Sequence, residues 1–235
     1  MKSFLLIGQS NMAGRGDFGE VPEIVNPNCF MLRNGRWQPM CEPINPDRPI
    51  FGSWHSGVGL SASFADAYAN YFHEDVGLIP CADGGTAMCE WVPGEILYDH
   101  AVFQASLAQR TSEIAGILWH QGENDSTSYE EVLQYRERFL RMISTMKQQL
   151  GLSDTVPVLI GELGSFVGTA GGGKCKYYRQ VNEILEKLSQ ELPCSGFVRA
   201  DGLTCKDDGI HFNSASYREF GLRYFEVYKK ITQTG

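Results

Sequence analysis

Apolar residues gather along this chain into two kinds of run. Five short stretches, Ser3–Ile7, Val76–Cys81, Ile114–Trp119, Val156–Ile160 and Gly196–Ala200, are apolar with little alternation, the pattern of strands covered on both faces. Between them, apolar residues recur at helical spacing over Ser61–Phe72, Leu97–Arg110, Tyr129–Leu150 and Tyr178–Glu191, and Ser214–Ile231 closes the chain in the same way. The clearest is Tyr129–Leu150. There Val132, Tyr135, Phe139, Met142, Ile143 and Met146 form one stripe between charged residues, which predicts core rather than a cofactor site. Strands alternating with helices predict an α/β fold: a parallel sheet with right-handed crossovers and helices on both faces.

Two stretches interrupt the alternation. Gly14 to Gly59 is rich in Pro, Asn and Gly without sustained periodicity, and reads as a long ordered loop held over the sheet's edge by Trp37, Phe51 and Trp54. Gly164–Gly173 reads as a mobile loop at the same end. There is no internal repeat and no defensible domain boundary, so residues 1–235 are expected to form one domain, and 43% hydrophobic residues suffice for its core.

Charge narrows the partners. The 20 Lys and Arg against 28 Asp and Glu give a net charge of −8, and the cations are scattered, so no footprint for nucleic acid or an anionic membrane is visible. The apolar run Phe4–Ile7 is too short for a signal-peptide core, and no stretch approaches a membrane span, which predicts a cytoplasmic protein. Seven Cys without a CxxC pair predict reduced thiols, most of them buried, rather than disulfides or a zinc site.

In open parallel sheets, ligands bind at the carboxyl ends of the strands. The residues placed there are Gly8-Gln9-Ser10-Asn11, Ala82-Asp83-Gly84-Gly85-Thr86, His120-Gln121-Gly122-Glu123-Asn124-Asp125, Gly161-Glu162 and Asp201-Gly202. Ser10 sits between Gly8 and Gly14, where a sharp turn can aim its side chain into the crevice; a serine there would also serve as an N-cap. As a nucleophile it needs a base that is itself oriented by a third group. The segment KDDGIHFN supplies His211 and, three residues earlier across a glycine, Asp208, with Asp207 adjacent. A carboxylate on the imidazole Nδ1–H would leave Nε2 free to accept a proton. Backbone N–H groups of Ser10, Gly84 and Gly85 and the side-chain amide of Gln121 are candidate donors to an oxyanion.

The motifs GQSNMAGRG, GGTAMCEW, WHQGEND and DGIH follow in order at these strand ends. Together they resemble the SGNH-hydrolase superfamily, and within it the carbohydrate esterase family 6 and sialate O-acetylesterase-like branch related to acetylxylan esterases. The likeness runs from residue 3 to about residue 226, nearly the whole chain. It implies a flavodoxin-like three-layer α/β/α sandwich on a five-stranded parallel sheet, without metal or organic cofactor. It implies Ser10 as nucleophile, Asp208 and His211 as its partners, Gly84 or Gly85 as second oxyanion donor, and Gln121 as third, with Asn124 and Glu123 as competitors. The activity implied is a serine esterase that removes O-acetyl groups from carbohydrates, acetylated xylo-oligosaccharides ahead of acetylated sialic acids. Only the acetyl group need be enclosed, so the alcohol side is expected to be an open cleft. Its candidate contacts are Gln9, Asn11 and Glu123 and the flat faces of Trp54, His55 and Trp91. Trp91 and Trp119 compete as core residues, and Glu123 and Asp125 read as loop anchors rather than an acid–base pair.

Three rivals differ in class. The formal GxGxxG at Gly14–Gly19 suggests a nucleotide or flavin, but begins seven residues beyond the strand with no helix after it. A carbohydrate-binding protein without catalysis would keep the cleft. A lipid or thioester hydrolase would want an apolar lid, and none is evident.

Overall fold

Strand β1, Lys2–Gly8, has no polar face, so both of its sides must be covered. The computed structural model describes residues 1–46, 55–169 and 173–233. In it Phe4 and Leu6 point into one apolar cluster while Leu5 and Ile7 point into another. The pleat makes this division, because successive side chains leave a strand on opposite faces. The remaining strands are β2 Cys29–Arg33, β3 Arg36–Pro39, β4 Val76–Pro80, β5 Glu113–His120, β6 Val158–Gly161 and β7 Ser195–Val198. They form one sheet in the order β3-β2-β4-β1-β5-β6-β7, parallel throughout except for β3 against β2.

After β1 comes a single helical turn, α1 Ser10–Ala13; the full helices are α2 Leu60–Phe72, α3 Ile96–Ala108, α4 Tyr129–Gln149, α5 Tyr178–Glu191 and α6 Ser214–Gln233. Helices α2 and α6 cover the face of Phe4 and Leu6, with Phe64, Tyr68, Phe220, Tyr224 and Tyr228 packed there edge to face. Helices α3, α4 and α5 cover the opposite face, and the stripe Val132, Tyr135, Phe139, Met142, Ile143 and Met146 lies in that core as its spacing predicts. The three-layer α/β/α class holds. The chain passes to one side of β1 for β2 and β4, then to the other for β5, β6 and β7, so the switch of direction falls beside β1.

Among the described residues the sheet has seven strands, not five. The additional pair, β2 and β3, lies inside the stretch expected to be loop, and Trp37 of β3 packs against Gly77 of β4. Its signal is the dipeptide Asn34-Gly35, with φ of 52° and 72°, a two-residue hairpin turn whose strands are too short to show periodicity. Phe51 and Trp54 lie outside the described residues. Part of the expected mobile loop is a packed turn, Ser165–Gly168, with Val167 buried and the Phe166 ring 5.0 Å from that of Phe212. Burial of most cysteines is also corrected: Cys29, Cys81 and Cys175 are buried, Cys41 and Cys89 are exposed, and Cys194 and Cys205 lie between, all seven as free thiols. Among the described residues, no helix is long and apolar enough to cross a membrane.

Candidate active site

β1 ends at Gly8 with φ of +133°, where a Cβ would fall 2.1 Å from the carbonyl oxygen of His120 at the end of β5. Only glycine lets the two strand ends close this far. The next N–H, of Gln9, donates to that same carbonyl at 2.9 Å, and the chain turns at once into α1. Ser10 is thus the first residue of a helical turn, where a backbone N–H has no partner within the turn and can face a ligand.

The second part of the site is built from the opposite end of the chain. Cys205 and Phe212 form an antiparallel bridge, and Lys206 N–H donates to the His211 carbonyl at 2.8 Å. The tip of this small hairpin turns at Gly209 with φ of +67°. Asp208 Oδ1 accepts from the N–H groups of Ile210 and His211, each at 2.9 Å, and Oδ2 faces His211 Nδ1 at 2.8 Å. A carboxylate only accepts, so Nδ1 carries the proton and Nε2 is left basic, 2.9 Å from Ser10 Oγ. Burial would raise the Asp208 pKa, but the two backbone donors and the imidazole outweigh it and hold the carboxyl below its ordinary range. Asp207, the other candidate orienter, is exposed and makes none of these bonds.

The glycines after β4 separate. A Cβ on Gly84 would lie 3.5 Å from Ser10 Cβ and 2.6 Å from Arg15 Nη2, whereas one on Gly85, with φ of +76°, would meet nothing. Gly84 therefore lies against the serine. Gln121 does not: its side chain is fully buried, with Nε2 donating to the Thr86 carbonyl at 2.9 Å and to Asp125 Oδ2 at 2.5 Å, and Oε1 accepting from Tyr135 at 2.9 Å. Both amide hydrogens are used within the protein, so the amide expected at an oxyanion instead ties the loop after β4 to the loop after β5. Asn124 keeps an exposed side chain, and its backbone N–H lies 3.3 Å from Gln9 Oε1.

Several expected substrate contacts are internal. Gln9 is buried, and its Oε1 accepts from the N–H groups of Gly122 and Asn124. Asn11 and Glu123 are buried and bonded to each other. Trp91 is wholly buried against Trp119, and its Nε1 donates to Thr86 at 3.1 Å, which makes it core. Trp54 lies outside the described residues. Of the described residues of this group, only His55 stands exposed at the site.

A cleft of about 350 Å³ opens on the His211 side, lined by Arg15, Gly16, Asp17, Phe18, His55, Ser56, Gly57, Lys206, Asp208 and His211. Phe18 is 61% exposed there, and Lys206 pairs with Asp17 at 2.7 Å. Phe18 lies within Gly14–Gly19 and Lys206 opens KDDGIHFN, yet neither position carries a signal of its own that places it at the cleft. The segment Gly14–Gly19 is irregular chain, with Gly16 bridged to Val58 and a turn at Phe18-Gly19, and the next element is strand β2 rather than a helix, which removes the ground for a nucleotide loop. Among the described residues, no three His, Cys, Asp or Glu are grouped to hold a metal.

The family described as "Carbohydrate esterase, sialic acid-specific acetylesterase" matches residues 1–230. The chain belongs to this family. The esterase is 32% identical to a protein of Arabidopsis thaliana described as "Probable carbohydrate esterase", over 96% of its own length and 89% of the relative's. A solved Arabidopsis thaliana structure at 29% identity superposes with a TM-score of 0.85, covering 97% of this chain and 98% of that one. Two further solved structures share the fold: NanS, with a TM-score of 0.79 at 15% identity over 99% and 98% of the two chains, and a carbohydrate acetylesterase from Xanthomonas citri, with 0.70 at 18% over 99% and 57%. The esterase is a carboxylic ester hydrolase on the SGNH-type fold, in the sialate O-acetylesterase-like branch its four motifs resemble.

Proposed function

We propose that the esterase removes O-acetyl groups from carbohydrates through a Ser10-His211-Asp208 triad and an acetyl-enzyme. The observation that carries the reading is the unbroken chain from Ser10 Oγ to His211 Nε2, 2.9 Å, and from His211 Nδ1 to Asp208 Oδ2, 2.8 Å. Ser10 attacks the acetyl carbonyl while Nε2 takes its proton, and Asp208, kept ionised by three hydrogen bonds, stabilises the imidazolium. The N–H groups of Ser10 and Gly84 meet the developing oxyanion, each such donor being worth about 3–4 kcal/mol of barrier. With both amide hydrogens of Gln121 engaged elsewhere, the exposed side chain of Asn124 is the candidate third donor in this reading. His211 then protonates the departing sugar oxygen, and water repeats the cycle on the acetyl-serine.

The departing alcohol must lie beside His211, where the cleft lies, and Phe18 and His55 are the exposed rings along it. Lys206 is already paired with Asp17, so an acidic sugar would compete with an ion pair in place, which favours neutral acetylated xylo-oligosaccharides. Acetylated sialic acid is the second reading, favoured by the family match.

Hydrolysis of para-nitrophenyl acetate, butyrate and octanoate by wild type and Ser10→Ala tests the chemistry. Turnover confined to acetate and lost in the variant is expected; turnover that survives Ser10→Ala refutes the triad. Acetate release from acetylated xylo-oligosaccharides and from O-acetyl sialic acid then decides the sugar.

A further inference from the structure

Asn11, the residue after the nucleophile, holds the chain on both sides of the base. Its Nδ2 donates to the Ile210 carbonyl at 3.1 Å, and its Oδ1 accepts from the Phe212 N–H at 3.3 Å. Ile210 and Phe212 are the two neighbours of His211, so this one amide fixes the backbone from which the imidazole projects. The amide is fixed in turn. Tyr217 O–H donates to Oδ1 at 2.7 Å, and Nδ2 donates to Glu123 Oε1 at 2.5 Å. A carboxylate and a carbonyl can only accept, and a backbone N–H can only donate, so these partners select one of the two orientations open to an amide. Glu123 is 3% exposed and takes no part in the reaction as derived. Burial would raise its pKa, but His120, 3.4 Å away, and Asn11 outweigh that and hold it ionised.

We propose that Asn11 and Glu123 are positioning residues: Glu123, as a hydrogen-bond acceptor, sets the Asn11 amide, and Asn11 sets the separation of Ser10 Oγ from His211 Nε2. The inference rests on the reading of Ser10 and His211 as nucleophile and base. It assigns Glu123 a role that needs its acceptor oxygen and not its charge. Oε2 makes no hydrogen bond to the described residues, so a glutamine can keep Oε1 toward Asn11.

The test uses the full chain with para-nitrophenyl acetate, comparing wild type, Ser10→Ala, Asn11→Ala, Glu123→Leu and Glu123→Gln, with a melting curve for each. A displacement of the base near 1 Å costs about 10²-fold, so Asn11→Ala and Glu123→Leu should lose about that much in kcat at unchanged KM. A serine-directed phosphonate should label them more slowly by the same factor. Glu123→Gln should keep kcat near wild type, whatever it loses in melting temperature. A purely structural role would lower melting temperature and leave the kcat of the folded fraction alone, which overturns the proposal, as does a Glu123→Gln protein no better than Glu123→Leu. Should the larger variants not fold, Tyr217→Phe removes one donor to Asn11 Oδ1 with little change in shape; it must lower kcat at constant KM, and wild-type kcat there refutes the clamp. Turnover surviving in Ser10→Ala brings down the triad reading, and this inference with it.

Discussion

Ser10 Oγ and His211 Nε2 stand 2.9 Å apart across 201 positions of sequence. Two local devices set the pair: a glycine that lets β1 close on β5 before the serine, and a hairpin that carries Asp208 and His211 on one turn. The glycine fixes the serine end of the proton's path and the hairpin fixes the imidazole end.

Loss of the base and loss of its orienter should differ. His211→Ala leaves Ser10 without a proton acceptor, and kcat should fall by about 10⁴-fold or more, while Asp208→Ala should be less damaging by a factor of about 10–100. Steady-state hydrolysis of para-nitrophenyl acetate reads both; equal losses would argue that Asp208 does more than orient.

The two glycines after β4 should separate in the same way. A methyl on Gly84 intrudes between Ser10 and Arg15, and Gly84→Ala should lower kcat by about 10²-fold. Gly85→Ala meets open space but holds φ of +76°, so it should cost about 1–2 kcal/mol of stability and spare kcat. Kinetics and urea denaturation of the pair distinguish the two costs.

Phe18 presents an exposed aromatic ring to the cleft in which the departing alcohol is proposed to lie. Phe18→Ala should weaken kcat/KM for an acetylated oligosaccharide by about tenfold, and Phe18→Trp should restore it. Ethyl acetate, which has no ring to stack, should be hydrolysed equally by all three. Equal loss on both esters would place Phe18 in the chemistry instead.

Asp125 links the loops after β4 and β5, accepting from Met88 N–H at 3.0 Å and from Gln121, and burial pushes its carboxyl up to about 6 against those bonds. The folded protein therefore holds this proton more tightly than the unfolded chain. Its contribution to stability is full below about pH 4, the unfolded value, and is lost as pH rises through about 6. In Asp125→Asn that falling limb should vanish, which urea unfolding at a series of pH values would show as a wild-type-minus-variant difference that changes only across that window.

The residues of the proposed triad, the glycine turn after β4 and the order of the main strands and helices are legible along the chain. Each rests on local chemistry: two-sided apolar runs, helical spacing, and a carboxylate three residues before an imidazole. Asn34-Gly35 is a hairpin signal that the loop reading leaves out, because its strands are too short to show periodicity. What only the tertiary structure decided was direction. Gln9, Asn11, Gln121 and Glu123 sit at strand ends as binding residues would, and their spacing is compatible with facing the cleft. Packing of β1 against β5, and of the hairpin at Cys205–Phe212 over α1, turns all four inward to pair with one another or with backbone. A polar side chain at a strand end can point to ligand or to loop, and which it does depends on donors and acceptors contributed by segments far away in sequence. Phe18 shows the converse. Its neighbours, the glycines of Gly14–Gly19, point to a nucleotide loop rather than to a sugar cleft, and it reaches the cleft because Gly16 bridges to Val58 and Asp17 pairs with Lys206.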